Sequence, residues 1–251
     1  RPTRLYRVGL LHNGNNAFTA LIAALQHAVR SIHMEYYIIR DDRIGRTIAE
    51  ILIRKARAGL EVRVIYDAVG SWRLSRTTLR RMHDAGVRTA AFEPVRFPWF
   101  TTRVTHRNHR KIVVVDGKIG FTGGINVADR YVHGTKFGPW RDTHLRIEGD
   151  AVNMLQAIFM TDWYFVSGKE LLNDEKYFPK SRIRTRSPMQ IASSGPDSDW
   201  ASIMQAFFAA INKARKSIYI STPYFLPNQA ILTALLSLIH ISEPTRLRRI
   251  S

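Results

Sequence analysis

The sequence predicts an α/β fold, a sheet covered by helices, and two observations carry that prediction. Apolar residues recur at helical spacing in several segments, and between them lie short runs rich in β-branched and aromatic residues. The βαβαβ rhythm of residues 18–92 implies a largely parallel sheet with helices on its faces.

The elements follow in order. Phe18, Leu21, Ile22 and Leu25 fall on one helical face, with Asn15 or Asn16 available as an N-cap. Residues 31–39 are a β-rich run. Ile44, Ile48, Ile51 and Leu52 mark a second helix, closed by Gly59. Residues 61–66 alternate apolar and charged side chains and read as a strand. Leu79 and Met82 indicate a third helix ending at Gly86, followed by a strand at 87–92. Residues 112–115 and 119–121 are apolar runs around Asp116-Gly117, a tight-turn signal. Residues 149–166 form a further helix rich in large apolar residues. Residues 171–186 are polar, hold Pro179 and lack sustained periodicity, which marks a linker.

Composition sets bounds. A chain of 251 residues can bury a substantial core and hold one large or two small domains. Cysteine is absent, which excludes a disulfide framework and thiolate metal sites. No apolar run approaches the ~20 residues of a membrane span, and no signal peptide is visible. The net charge of +18 suits a polyanionic partner, either nucleic acid or an acidic lipid surface, and composition does not choose between them.

The most informative stretch is H-x-K-x4-D, His109, Lys111 and Asp116, followed by G-G-x-N, Gly123, Gly124 and Asn126. A strand alternates faces with period two, so His109 and Lys111 point to the same side. One is a potential nucleophile and the other a fixed positive charge. The two glycines allow close approach of backbone to a ligand. Together these are parts for holding and attacking a phosphate. His106 and His109 sit three apart, but no carboxylate or third ligand lies at a recognised metal spacing, so neither a metal nor a cofactor is called for. His106, His133 and His144 read as ordinary histidines, and spacing assigns no role to Asp142 or Glu148. Residues 96–100, Arg-Phe-Pro-Trp-Phe, suit a buried loop anchor or a membrane-interface contact. Tyr36 and Tyr37 read as strand packing, with one of them able to line the site.

This string, with Arg107-Asn108 before it and Ala128-Asp129-Arg130-Tyr131 and the run from Trp140 to Gly149 after it, resembles the HKD motif of the phospholipase D superfamily, in its bacterial cardiolipin synthase branch. The resemblance extends from about Leu11 to Leu235. It implies a duplicated α-β-α sandwich in which two HKD motifs face each other. One histidine attacks phosphorus and the other protonates the leaving alcohol and then deprotonates the acceptor, roles that suit a group titrating near neutrality. On this likeness His109 is the nucleophile. Lys111 holds phosphoryl oxygens, a contact whose removal typically costs ~10²–10³ in rate. Gly123, Gly124 and Asn126 help bind the same phosphate, and Asp116 orients a histidine or anchors its loop. The implied substrate is phosphatidylglycerol at the bacterial inner membrane, with the catalytic part on the cytoplasmic side and nucleic acid an unlikely partner. A phospholipase D acting on another phospholipid, a single-motif dimeric phosphodiesterase and a basic nucleic-acid-binding module are the alternatives.

The chain also repeats itself. Shifted by 186, Phe18, Leu21, Ile22, Leu25 and Ala28 fall on Met204, Phe207, Phe208, Ile211 and Ala214, and residues 30–34 fall on 216–220. A strand and a Gly turn, Gly14 or Gly195, precede each copy. The expected organisation is a first repeat at 1–170, a linker at 171–188, the start of a second repeat at 189–235, and a tail at 236–251. The tail matches an in-frame reading of a transposon-end sequencing adapter and is expected to be non-native. The chain then reads as a fragment: a second HKD half is required in cis, and membrane-spanning helices are expected ahead of Arg1.

Overall fold

Among the described residues the apolar repeats and β-branched runs resolve into seven strands and seven helices. The structure, a computed structural model, describes residues 6–92, 108–171, 175–181, 183, 188–195, 201–222 and 225–241. In chain order the elements are β1 (Tyr6–His12), α1 (Asn13–His27), β2 (Ser31–Tyr36), α2 (Arg43–Arg57), β3 (Glu61–Asp67), α3 (Arg76–Asp84), β4 (Arg88–Phe92), β5 (Lys111–Val115), β6 (Ile119–Gly123), α4 (Arg130–His133), β7 (Thr143–Gly149), α5 (Val152–Ser167), α6 (Ser202–Lys213) and α7 (Gln229–Ile241). A 3-10 turn spans Glu175–Tyr177.

The caps of α2 and α3 are local chemistry. Asp42 accepts the Gly45 N–H at 3.1 Å and Ser75 the Thr78 N–H at 3.0 Å, so each side chain satisfies a helix donor that has no partner within the helix. Helix α1 differs from expectation: it starts at Asn13, directly after β1, and neither Asn15 nor Asn16 caps it. Gly14 serves packing and not a turn. A Cβ there would run into the Tyr131 carbonyl, so the glycine lets α1 and α4 touch.

The seven strands form one sheet in the order β1-β7-β6-β5-β2-β3-β4. It is mixed and not largely parallel. Only β2–β3 and β3–β4 are parallel, while the four pairings from β1 to β2 are antiparallel. The βαβ crossovers dictate the parallel half, and the hairpin at Asp116-Gly117 reverses the chain for the other half. Helices α1 and α2 cover one face together with Val113, Val115 and Phe121. Helix α5 covers the other, with Ile112, Val114, Phe159 and Trp163. Both faces of β5 are therefore buried, which is why its sequence is a continuous apolar run.

The segment expected as a linker, and the residues just after it, pack on the first unit at several points. Leu171 and Tyr177 are buried, and Met189 and Ile191 pack on the α5 face. Gly117, at φ 66°, makes room for it, since a Cβ there would meet Tyr177 and Pro179. Residues 1–191 form one compact unit and 192–251 another.

The second unit contains α6 and α7. Under the shift of 186, α1 and α6 end alike: the Ala28 N–H donates to Leu25 O at 3.3 Å and the Ala214 N–H to Ile211 O at 3.1 Å. The strand expected at 216–220 does not form; among the described residues this run pairs with no strand, and a strand needs ladder partners for its backbone. Helix α7 is capped by Asn228, which accepts the Ile231 N–H at 2.9 Å. With so little to pack against, Phe207, Tyr219 and Leu226 are exposed. No described helix is long and apolar enough to cross a membrane.

Candidate active site

His109 and Lys111 stand where β5 enters the sheet. His109 lies two residues before the strand and is exposed, while Lys111 is its first residue and is half-buried. The Lys111 ammonium donates to the His109 carbonyl at 2.6 Å and lies 5.8 Å from the centre of the Tyr37 ring. That ring stacks on the His109 imidazole at 4.0 Å between centroids. Tyr37 extends from the end of β2, the strand hydrogen-bonded to β5. Its backbone is fixed by Ser71, whose hydroxyl donates to Tyr37 O at 3.1 Å. Its ring is admitted by Gly70, where a Cβ would come within 2.8 Å of the ring edge.

Electrostatics suit nucleophilic work. Partial burial, and then the Lys111 charge, hold the His109 imidazole below its ordinary value, with Asp67 opposing. The ring is therefore a free base at neutral pH. Burial lowers Lys111 to about 8, with Asp142 opposing, so the ammonium still carries its charge at pH 7. His144 on β7 lies beside it. Burial, and then Lys111, push His144 down to about 4, and its Nδ1 is buried without a hydrogen-bond partner among the described residues. A neutral imidazole, a free-base imidazole and one ammonium thus share this end of the sheet.

The two residues flanking His109 are clamped. The Asn108 amide donates to Glu35 of β2 and its carbonyl accepts the Arg110 N–H at 2.9 Å. The Arg110 guanidinium reaches both carboxylate oxygens of Asp162 on α5 at 2.6 Å. Burial and the neighbouring Asp162 charge raise Glu35 well above the usual carboxylate range, so it keeps its proton. These bonds seat the backbone on either side of His109 against β2 and α5.

The remaining expected residues take other places. Asp116 is not at this centre. It lies at the far end of β5, and a rise of about 3.3 Å per residue puts it roughly 15 Å or more away along the strand. There its buried carboxylate accepts the N–H groups of Val29, Arg30 and Ser31 at 2.7–3.2 Å and ties the α1–β2 loop to the β5–β6 turn. Of the two roles considered for it, the geometry is that of a loop anchor. Asn126 is buried with its amide already engaged: Oδ1 accepts the Ile38 N–H at 3.1 Å and Nδ2 donates to the Tyr131 hydroxyl at 2.7 Å. It holds the loop after β6 to the end of β2 and does not present its amide to a ligand. Gly123 and Gly124 are exposed, but their missing side chains make room for β7. A Cβ at Gly123, at φ 149°, would sit 2.7 Å from His144 Nδ1, and one at Gly124 would strike the Asp142 carboxylate. The glycines admit a histidine and a carboxylate to the neighbourhood of Lys111.

Sequence reasoning therefore missed His144, Asp142, Asp67 and the Glu35–Asp162 clamp. The run Trp140-Arg141-Asp142-Thr143-His144 was visible as a signal, but only pairing of β6 with β7 brings it to Gly123. Of the two tyrosines, Tyr37 lines the site and Tyr36 is buried in the core. His106 and the aromatic run at 96–100 lie outside the described residues. Among the described residues no three metal-ligating side chains converge.

Comparison with known proteins adds ancestry to this geometry. A family model described as "Cardiolipin synthase, PLD-like domain" matches residues 21–163. A cardiolipin synthase of Geobacillus sp. (strain WCH70) is 47% identical over 228 residues, covering 90% of this chain and 45% of that protein. Cardiolipin synthase 2 of Bacillus cereus is 47% identical over 227 residues, covering 90% of this chain and 44% of that protein. The chain spans about half the length of the curated relatives it matches. Among solved structures, a phosphatidylserine synthase of Haemophilus influenzae Rd KW20 shares the fold, with a TM-score of 0.69 at 14% identity over 96% of this chain and 61% of that one.

Proposed function

The chain belongs to the cardiolipin synthase family of phospholipase D-like proteins, and on that premise we propose that it supplies one half of a two-motif phosphatidyltransferase centre. The observation that carries this reading is the exposed His109 imidazole, stacked on Tyr37, held as a free base, with the Lys111 ammonium beside it. In the proposed cycle a His109 nitrogen attacks the phosphorus of phosphatidylglycerol. The bond from phosphorus to the glycerol headgroup breaks, and the departing glycerol takes a proton from the histidine of a second motif. A terminal hydroxyl of another phosphatidylglycerol then attacks the phosphatidyl-histidine, returning its proton to that second histidine. Two phosphatidylglycerols become cardiolipin and glycerol. Lys111 neutralises the phosphoryl oxygens during both displacements.

The substrate, the requirement for a second half and the residue roles belong to this proposal, as does the reading of residues 189–235 as the start of a second repeat. So does placement at the bacterial inner membrane, favoured by the net charge of +18, which suits an acidic lipid surface. The test is to incubate the purified chain with phosphatidylglycerol and follow glycerol release. Negligible turnover is expected from the chain alone, and turnover is expected once it is joined to a second H-x-K-x4-D half. Sustained turnover by a proven monomer would sink the two-half reading, and turnover rising with dimer concentration would support the single-motif phosphodiesterase instead.

A further inference from the structure

Three arginines converge beside the His109 end of the sheet, and the reaction steps above use none of them. The chain beyond β2 is stitched on both sides. Arg40 N–H donates to Val127 O at 3.0 Å, and Ile39 pairs with Val127 in a parallel bridge. On the other side Ile39 N–H donates to Ser71 Oγ at 2.9 Å. Arg130 follows closely on Val127, and Arg73 follows closely on Ser71. Arg40 is thereby flanked by both, near enough that the Arg130 and Arg73 charges add to partial burial in lowering its pKa.

The Asp42 charge opposes this lowering at Arg40, by less than either arginine contributes. Among the described residues, none of the three guanidinium groups forms an ion pair with a carboxylate. The nearest acids are otherwise engaged: Asp42 accepts the N–H groups of Gly45 and Asp129, and Asp129 accepts those of Arg43 and Ile44. The arginines are instead held by aromatic faces, Arg73 at 4.8 Å over Trp72 and Arg130 at 5.2 Å over Trp140. Among the described residues the buried Nε of Arg130 has no hydrogen-bond partner. Holding three like charges together costs free energy, and an anion recovers it; guanidinium forks match phosphate oxygens two at a time.

Position narrows the choice of anion. Arg40 is three residues beyond Tyr37, so their Cα atoms are within about 11 Å, and Tyr37 lies against His109. We propose that Arg40, Arg73 and Arg130 form a second phosphate subsite beside His109 and Lys111, which takes the phosphodiester of the acceptor phospholipid. This rests on the transfer reading above. A transfer between two anionic phospholipids needs two phosphates held a headgroup apart, one at the nucleophile and one alongside it.

The 251-residue chain is titrated with monomeric dihexanoylphosphatidylglycerol, and separately with inorganic phosphate, by calorimetry. The wild type should bind two equivalents of the diester. Arg40→Gln/Arg73→Gln, with its melting temperature unchanged, should weaken one equivalent at least about tenfold. Lys111→Ala should weaken the other. Arg76→Gln/Arg80→Gln, the same charge change on α3, should leave both intact. Two diester equivalents of wild-type affinity in Arg40→Gln/Arg73→Gln overturn the subsite, and so does equal weakening by the α3 pair, which would mark diffuse electrostatics. Arginine-dependent binding of inorganic phosphate alone overturns the lipid assignment. If the diester result holds but the chain joined to its second half transfers no phosphatidyl group, the transfer reading fails and the subsite stands.

Discussion

Tyr37 and His109 lie face to face, their ring centroids 4.0 Å apart and their planes 25° from parallel. The partners come from neighbouring antiparallel strand ends, and Gly70, with no Cβ, leaves the space that the Tyr37 ring occupies. The nucleophilic ring is thus oriented by packing. Aromatic pairs of this kind contribute ~0.5–1.5 kcal/mol beyond burial, so Tyr37→Ala should slow phosphatidyl-enzyme formation roughly three- to tenfold. Tyr37→Phe keeps the stacked face and should stay near wild type. Loss of rate in Tyr37→Phe equal to that in Tyr37→Ala would assign the effect to the hydroxyl.

The pH dependence of phosphatidyl-enzyme formation should be bell-shaped. The acid limb belongs to His109, whose pKa is displaced downward, so activity should persist below pH 6.5 before falling. The alkaline limb should lie near 8, where Lys111 loses its charge. Lys111→Arg, which stays charged throughout, should retain some activity and lose the Lys111 part of the alkaline limb, leaving the fall set by the second-motif histidine that protonates the leaving glycerol. An unchanged alkaline limb in Lys111→Arg would assign it to another group.

Asp116→Ala should cost stability and spare chemistry. The carboxylate accepts three backbone N–H groups, and its loss leaves that of Ser31 buried without a partner, at a cost of about 1–3 kcal/mol. Denaturant melts should show the loss, while phosphatidyl-enzyme formation per folded molecule should be unchanged. A stable variant with abolished activity would return Asp116 to the catalytic centre.

Acid should destabilise the first unit through two buried histidines. Burial depresses His33 to about 3 and His144 to about 4. An unfolded histidine titrates near 6.5. Between these values the unfolded chain binds more protons than the folded one, so stability rises with pH. Each histidine's contribution is complete above pH 6.5 and is lost as pH falls toward its folded value, by up to about 1.4 kcal/mol per pH unit. Glu35, raised by burial, opposes them above its own unfolded value near 4.5. The melting temperature should therefore fall from pH 6.5 to 5, and less steeply in His144→Gln. An identical fall in that variant would mean His144 is not buried in its neutral form.

The sequence by itself determined most elements of the first unit, though not α4 or β7, and the motif that names its chemistry. Periodicity placed α2 and α3, β-branched runs placed β3 and β5, and Asp116-Gly117 placed a hairpin, because each depends on neighbours close in the chain. Spacing alone put His109 beside Lys111, since residues two apart on extended chain share a face, although β5 itself begins only at Lys111. Tertiary structure decided the rest. Strand order made the sheet mixed and brought Tyr37 to His109 and His144 to Gly123, pairings that depend on which distant strands meet. It sent Asp116 to the opposite end of β5, although the motif reads as one unit, because an extended strand separates residues that a short sequence interval keeps together. It turned the amide of Asn126 inward, because a buried polar group must find a partner. The second unit shows the converse: its helix α6 forms from local periodicity, but the run at 216–220, with the pattern of a strand, pairs with none among the described residues, since a strand exists only where another lies alongside it.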